Sequence, residues 1–409
     1  MEKVFVTGRG LITPLGNGKA ENEASLRCGK SGLVHIPDWA ELNLDCTVAG
    51  KAAPFEVHPL LDRKRLRFCP PGAVMSVNAV AEALAEAGIA LEEIPALRIA
   101  VVAGVAGSYF YEIFSNANAY NNSRRIRDVS PYVVPRVMPS SVVSNLSLVF
   151  GCHGETYDVS AACASGALAV IVATRLIRSG EYDIVIAGGS EQLDWVECLG
   201  FCAIKALSKH FNATPERASR PFDRDRDGFV LAEGAGYVVL ESAGSVKRRG
   251  VRPITEIAGI AANSNASDMV VPDRAASEQV MLQAIHQAGL KPQDIGYVNT
   301  HGTATPVGDP IEMAALKNVF GSRIAINSTK SQTGHMIGAT GAVEIIFTSL
   351  MLEKHFLSPS INLEQPDDNF DWADLVRAPR EGVAIRHALS NSFAFGGSNA
   401  CVILSDCGN

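Results

Sequence analysis

Three short segments of the chain carry side chains suited to acyl chemistry. They are Ala162-Cys163-Ala164-Ser165-Gly166, Thr300-His301-Gly302-Thr303-Ala304-Thr305-Pro306 and Lys330-Ser331-Gln332-Thr333-Gly334-His335. A thiol becomes a strong nucleophile once its proton is removed, and imidazole N–H groups can donate to a developing oxyanion. Each segment alone has an ordinary explanation. A lone cysteine is more often a packed core residue, and a loop histidine more often satisfies nearby carbonyls. Together, at three separate strand ends, they point to a cysteine that holds an acyl group. A fourth segment, Phe393-Ala394-Phe395-Gly396-Gly397-Ser398, offers a bulky ring beside exposed amides.

The flanking residues say what must position these groups. Residues 156–160 read as a strand and a helical pattern begins near Gly166, so Cys163 falls at a strand-to-helix turn. There the helix macrodipole and free N–H groups are expected to favour a thiolate. His301 follows an apolar run at 296–300, and the Lys330–His335 segment follows another. Sites in α/β proteins form at such carboxyl-terminal strand ends. Apolar runs at 4–7, 98–103, 183–187, 236–240, 295–299 and 324–327 predict buried strands. Helical patterns lie at 73–87, 166–178, 277–288, 312–319 and 339–353, with Gly88, Gly180 and Gly289 placed as left-handed caps. Residues 388–398 and 399–404 predict a hairpin. The N-terminal run, Met1 to Gly8, reads as a strand turning at Gly8 and Gly10, with no apolar core long enough for a signal peptide. Layers of helices against mixed sheets follow. No internal repeat is visible in the letters, and 241–253 is the best candidate boundary, dividing the chain into 1–250 and 251–409.

The chain has 409 residues, 47% of them hydrophobic, enough for one large core or two fused ones. A formal net charge of −7 lowers the expectation of nucleic-acid binding. No stretch approaches the ~20 apolar residues of a membrane span. Nine scattered cysteines argue against a secreted disulfide framework and for a reducing, cytoplasmic setting.

Several motifs fail on spacing. Cys28-Gly29-Lys30-Ser31 lacks the earlier glycine of a phosphate loop, since position 24 is Ala. Asp223-Arg224-Asp225-Arg226-Asp227-Gly228 copies half of a calcium loop, but position 234 is Gly where the bidentate Glu belongs. A salt-bridged loop is expected instead. Cys198 and Cys202 have no partner pair at zinc spacing and read as apolar cysteines. No metal is expected.

On Cys163, the Thr-His-Gly-Thr segment, the Lys-x-x-x-Gly-His segment and the final Phe-Gly-Gly turn, the chain closely resembles the β-ketoacyl-acyl-carrier-protein synthases. The resemblance runs over nearly the whole length. Leu61-Asp62-Arg63-Lys64, Pro131-Tyr132-Val133-Val134, Asp227-Gly228-Phe229-Val230 and Ser267-Asp268-Met269-Val270 bring it nearest the synthase I branch. It implies a thiolase-like fold, two similar α/β halves forming a five-layered α-β-α-β-α core, with subunits paired through their N-terminal halves. It also implies roles. Cys163 takes the acyl chain from a carrier-protein thioester. His301 and His335 hold the malonyl thioester as carbon dioxide leaves, and Lys330, paired with Glu344, tunes them. The amides of Cys163 and Phe395 form the oxyanion hole, and Phe395 gates the site. Thr303 and Thr305 bind the pantetheine arm, while Asp309 and Glu312 are structural. Ala106, Ala162, Phe201 and Phe395 shape the acyl pocket. Arg63, Lys64, Arg65 and Arg67, with Arg124, Arg125 and Arg127, suit an acidic carrier. No cofactor is implied beyond the phosphopantetheine of that carrier. The partner subunit is a second copy or a related ketosynthase or chain-length factor.

Two places depart from the family. Ala394 stands where the gate loop usually has Gly, a cost if that position needs positive φ. The pocket segment 103–108 is altered and followed by Tyr109, Phe110 and Tyr111. A specialised unsaturated or aryl-bearing acyl chain is therefore expected, with a housekeeping elongation synthase as the alternative. A non-catalytic chain-length factor would lack the cysteine. A thiolase would need a second cysteine near the C-terminus, and Cys401 lies in a strand.

Overall fold

The computed structural model describes residues 2–107, 109–321 and 324–408. Met1 of the N-terminal run and Ser108 of the altered pocket segment lie outside the described residues.

The first strand, Val4–Thr13, continues through Gly8 and Gly10 rather than turning there, with a bulge in its pairing between Val6 and Gly8. The glycines serve a different purpose from a turn. A Cβ on Gly8 would run into the Ala83 carbonyl, and one on Gly10 into the Ala79 carbonyl. Their absence lets helix Pro71–Glu86 close directly onto the strand. Gly88, Gly180 and Gly289 do adopt left-handed φ of 64, 79 and 69° just past helix ends.

Among the described residues, twelve strands form one sheet that falls into two halves. In the first, Val4–Thr13 pairs antiparallel with Gly234–Ser242, which pairs antiparallel with Ile184–Glu191. Then come Ile99–Gly104 and Thr156–Val159, both parallel. In the second, Thr255–Ser264 pairs antiparallel with Ser398–Asp406, which forms the expected hairpin with His387–Phe393. Tyr297–Asn299 and Ala325–Asn327 follow in parallel. Counted along the chain, each half therefore has the spatial order first, fifth, fourth, second, third, with the same strand directions. The halves are the same fold twice. They join where Phe5 and Val6 pair with Glu256 and Thr255.

Helices complete five layers. Pro71–Glu86 and Ser141–Phe150 pack on the outer face of the first half. Arg274–Gln287 and Gly308–Phe320 cover the outer face of the second. Ser165–Arg178 and Ile337–Lys354 lie between the two halves in the largest apolar cluster. The second of these is buried at every residue from Ile337 to Leu352, as an all-round apolar helix must be. The two central helices come very close: a Cβ on Gly166 would sit 2.8 Å from the Gly338 carbonyl and 2.9 Å from the Ala342 amide.

The stretch 241–253 is the end of strand Gly234–Ser242 and a short helix, Ala243–Arg249. Strand Thr255–Ser264 was not expected, because alanines and polar residues break its apolar run. It is strand by virtue of its long pairing with Ser398–Asp406. Helices Phe110–Ser123 and Ser141–Phe150 also went unread. The acidic loop is salt-bridged as expected, with Arg220–Asp223 at 3.0 Å and Arg226–Asp367 at 3.2 Å.

Candidate active site

Cys163 lies in a short turn between strand Thr156–Val159 and helix Ser165–Arg178. The turn is strained: Ala162 has φ of +46°, a region that non-glycine residues rarely adopt. Ser165 holds it in place. Its hydroxyl accepts from the Ala161 amide at 2.9 Å and donates to the Ala162 carbonyl at 2.7 Å. The sulfur is presented at the junction of the two halves, at the end of the helix that crosses Ile337–Lys354.

The corresponding turn in the second half carries the basic segment. Lys330 and Glu344 are each 1% exposed. The Lys330 ammonium donates to both Glu344 oxygens, at 2.7 and 2.8 Å, and Thr329 Oγ1 donates to the same carboxylate at 3.0 Å. The His335 backbone is pinned on both sides: its amide donates to the Val230 carbonyl at 2.7 Å, and its carbonyl accepts from Ala232 at 2.9 Å. His301 follows strand Tyr297–Asn299. Glu312 fixes its backbone by accepting from the His301 and Gly302 amides at 2.9 and 2.8 Å. Asp309 accepts from Phe222 and Ala304 amides at 2.9 and 3.1 Å.

These elements bring the three reactive groups together. Cys163 Sγ and one ring nitrogen of each histidine all lie within 4.8 Å of one another. A metal ion could bridge groups so spaced, yet the buried Lys330 ammonium stands beside them. The imidazole rings meet edge to face, with centroids 5.4 Å apart.

The electrostatics correct one sequence expectation. The turn near the helix N-terminus does not leave a thiolate at rest. Burial pushes the Cys163 thiol up to about 12, against the lowering influence of the Lys330 ammonium and of the Phe395 and Cys163 amides. Burial holds both imidazoles well below 6.5, and Lys330 lowers them further. Burial thus works against charge on the thiol and on both imidazoles. Burial also pushes Asp309 up to about 7 and raises Glu312 and Glu344.

A cavity of about 330 Å³ leads from the surface to Cys163, His301 and His335. Thr303 and Thr305 line it, their hydroxyls 3.2 Å apart, with Val270, Val271, Pro306 and Val307 on the apolar side. Phe395 stands at the inner end, its ring 6.4 Å from that of Phe201. Phe201 and Ala106 share an apolar cluster with Cys163. Ala394 is extended, with φ of −121°, and the left-handed turn falls on Gly396 and Gly397. Alanine at 394 therefore carries no φ strain in this conformation.

Arg63 and Lys64 lie on the short helix Arg63–Leu66, started by the Asp62 carboxylate accepting from the Arg65 amide at 2.8 Å. Arg67 reaches Tyr132, linking this cluster to the segment beyond Arg124 and Arg127. Arg125 is taken by Asp128 at 2.9 Å. Arg63, Lys64, Arg67, Arg124 and Arg127 are exposed, and no ion pair holds them among the described residues.

Sequence reasoning missed Ser165, Thr340 and Glu191. Thr340 Oγ1 lies 3.0 Å from His335 Nδ1. The Glu191 carboxylate accepts from the Ala106 amide at 3.1 Å and the Gly338 amide at 2.9 Å, tying the pocket segment to the second central helix. A carboxylate just beyond the apolar run at 183–187 was the one signal visible in the letters for Glu191.

Comparison with known proteins agrees with this arrangement. Residues 1–245 match the family described as beta-ketoacyl synthase, N-terminal domain, and residues 254–364 match its C-terminal domain. The chain is 40% identical over 406 residues to 3-oxoacyl-[acyl-carrier-protein] synthase 1 of Haemophilus influenzae, covering 98% of each protein. It is 38% identical over 409 residues to synthase 1 of Escherichia coli, covering 99% of each. A crystal structure of a beta-ketoacyl synthase from Burkholderia phymatum superposes with a TM-score of 0.95 at 33% identity over 100% of both chains. The ishigamide ketosynthase/chain length factor gives 0.91 at 29%, again over both full chains. Both halves match, and the reactive residues stand where those halves meet: the chain belongs to the β-ketoacyl synthase family.

Proposed function

We propose that the protein joins an acyl group held on Cys163 to a malonyl unit on acyl carrier protein, with loss of carbon dioxide, to give β-ketoacyl-acyl-carrier protein. The observation that carries this is the approach of Cys163 and both imidazoles within 4.8 Å. In the first step the thiol proton passes to a neighbouring imidazole as sulfur attacks the acyl thioester. The carrier thiol leaves, taking a proton. In the second step the malonyl carbon–carboxyl bond breaks. Its electron pair moves into the thioester, and the negative oxygen is met by N–H donors on His301 and His335. A neutral imidazole has one N–H to donate. One such donor is worth ~2.7–4 kcal/mol of barrier. The resulting carbanion attacks the acyl carbonyl, whose oxygen is held by the Cys163 and Phe395 amides. Collapse expels the Cys163 thiolate, which takes up one proton from water to return to the thiol.

Thr303 and Thr305, on the cavity wall, would hold the pantetheine arm, and Phe395 would move with the acyl chain. Ala106, Ala162 and Phe201 would bound that chain. Lys330 acts through charge, while Asp309, Glu312 and Glu344 position the loops. The reading needs no cofactor other than the carrier's phosphopantetheine and no metal. The exposed cations at 63–67 and 124–127 support an acidic carrier as partner, and a solved neighbour is titled as a ketosynthase complex with its acyl-carrier protein. Pairing with a second subunit, identical or related, is supported by the edge strand Thr156–Val159 and by exposed Phe110, Tyr111, Ile113 and Phe114. No helix among the described residues is long and apolar enough to cross a membrane; a cytoplasmic setting fits the nine free cysteines.

Two acyl classes remain in the proposal. The altered pocket segment favours an unsaturated or aryl-bearing chain. The full-length likeness to proteins named synthase 1 favours ordinary chain elongation. Intact mass after incubation with a panel of acyl carrier proteins tests both points. An adduct on the wild type and none on Cys163→Ala is expected. No adduct from any acyl carrier would overturn the mechanism, and the preferred chain separates the two classes.

A further inference from the structure

Thr340 lies in the first turn of helix Ile337–Lys354, five residues beyond His335. It is 1% exposed and the histidine 2%. Buried threonines inside helices usually donate back to the carbonyl four residues earlier. Thr348 does so to Glu344 and Thr174 to Val170, each at 2.7 Å. Thr340 makes no such bond among the described residues. Its hydroxyl is turned instead to His335 Nδ1, at 3.0 Å. The other ring nitrogen, Nε2, is buried and has no hydrogen-bond partner.

Two proton arrangements fit these positions. If Nδ1 carries the proton and donates to Thr340, the hydroxyl proton has no acceptor, and Nε2 offers a bare lone pair to the site. If the hydroxyl donates to Nδ1, its proton is used, and Nε2 carries an N–H free to meet an incoming acceptor. Each arrangement leaves one donor over, and an unmet donor is unfavourable where nothing can reach it. In the first it is a hydroxyl sealed in the helix packing. In the second it is the N–H of the ring that lines the cavity, where an incoming acceptor can meet it, so the second arrangement wins. The tautomer matters because the ring is neutral: an imidazolium would have both protons.

We propose that Thr340 is a positioning residue that locks His335 as the Nε2–H tautomer, so that its proton faces the malonyl thioester oxygen. The inference rests on the condensing reading above and deepens it. It assigns Thr340 to the decarboxylation step alone, because acyl transfer to Cys163 needs no donor from His335.

The test compares wild type with Thr340→Val, which keeps the shape and loses the hydroxyl, and with Thr340→Ser, which keeps the hydroxyl. Three readings are taken: acyl transfer to Cys163 by intact mass, malonyl-carrier decarboxylation by released carbon dioxide, and the ring-nitrogen NMR signals of His335 in histidine-labelled protein. Thr340→Val is expected to slow decarboxylation on the order of 10-fold, the worth of one hydrogen bond. Acyl transfer should stay within about twofold, because its proton acceptor is retained. Thr340→Ser should restore the rate. The wild-type signals should show Nε2 protonated and Nδ1 bare. Unchanged decarboxylation in Thr340→Val, equal loss of both steps, or a wild-type proton on Nδ1 would each overturn the proposal. Absence of both steps in the wild type would instead sink the condensing reading, and the nitrogen signals would still decide the tautomer.

Discussion

The Lys330–Glu344 pair separates stability from chemistry in one experiment. Both side chains are 1% exposed, and the ammonium reaches both carboxylate oxygens at 2.7 and 2.8 Å. Lys330→Met leaves a buried carboxylate with only the Thr329 hydroxyl, and Glu344→Gln leaves a buried ammonium facing an amide. Breaking a buried pair from one side typically costs about 3–5 kcal/mol, whereas replacing both partners with uncharged groups is often close to neutral. The double variant should therefore fall within about 1 kcal/mol of wild type, measured by urea unfolding. Its chemistry should not recover. Burial and then Lys330 hold the two imidazoles below 6.5, while Lys330 partly offsets the burial that raises Cys163. Without the ammonium the imidazoles titrate higher, so at a given acid pH more of His301, the ring not committed by Thr340, is protonated and unable to take the thiol proton. The acid limb of acyl transfer should move to higher pH in the double variant, and the thiol should become still harder to ionise. A double variant as unstable as either single, or one with wild-type acyl transfer and an unmoved acid limb, would refute the reasoning.

Further outcomes follow from the same geometry. His335→Ala should cut malonyl decarboxylation by about 10²–10³, the loss of one oxyanion donor, while an acyl adduct still forms on Cys163; intact mass and released carbon dioxide read the two steps. Gly166→Ala places a methyl 2.8 Å from the Gly338 carbonyl and should destabilise by about 1–3 kcal/mol, seen as a lower urea midpoint. Charge reversal at Arg63 and Arg124 should raise KM for the carrier substrate, less so at high salt, and leave kcat at saturating carrier near wild type. Both buried histidines have depressed pKa values in the folded state. Their contribution to stability is present above about 6.5 and is lost as pH falls toward the depressed folded values, so urea midpoints should drop on the acid side.

Much of the positioning was legible in the letters. Cys163, His301 and the Lys330–His335 segment each follow a strand, and the strands and the final hairpin lie where apolar runs and glycines placed them. Other features were not legible, for physical reasons. Gly8 and Gly10 look like turn residues, yet they serve a close helix approach that depends on helix Pro71–Glu86 arriving from another part of the chain. Thr255–Ser264 lacks an apolar run and becomes a strand through its partner. The duplication of strand order is invisible in the residues because the same topology is filled with different side chains.

The amino-acid sequence by itself determined which groups could react: one cysteine at a strand-to-helix turn, two histidines on small-residue loops, and a lysine just before the second of them. These are local facts, written in residue type and spacing; the pairing of that lysine with Glu344 came from the family resemblance. Only the tertiary structure decided their states. Proton affinity depends on what surrounds a group from every side, and here the two halves close over the site. That burial raises the Cys163 thiol, holds His301 and His335 neutral, and turns the Thr340 hydroxyl onto His335.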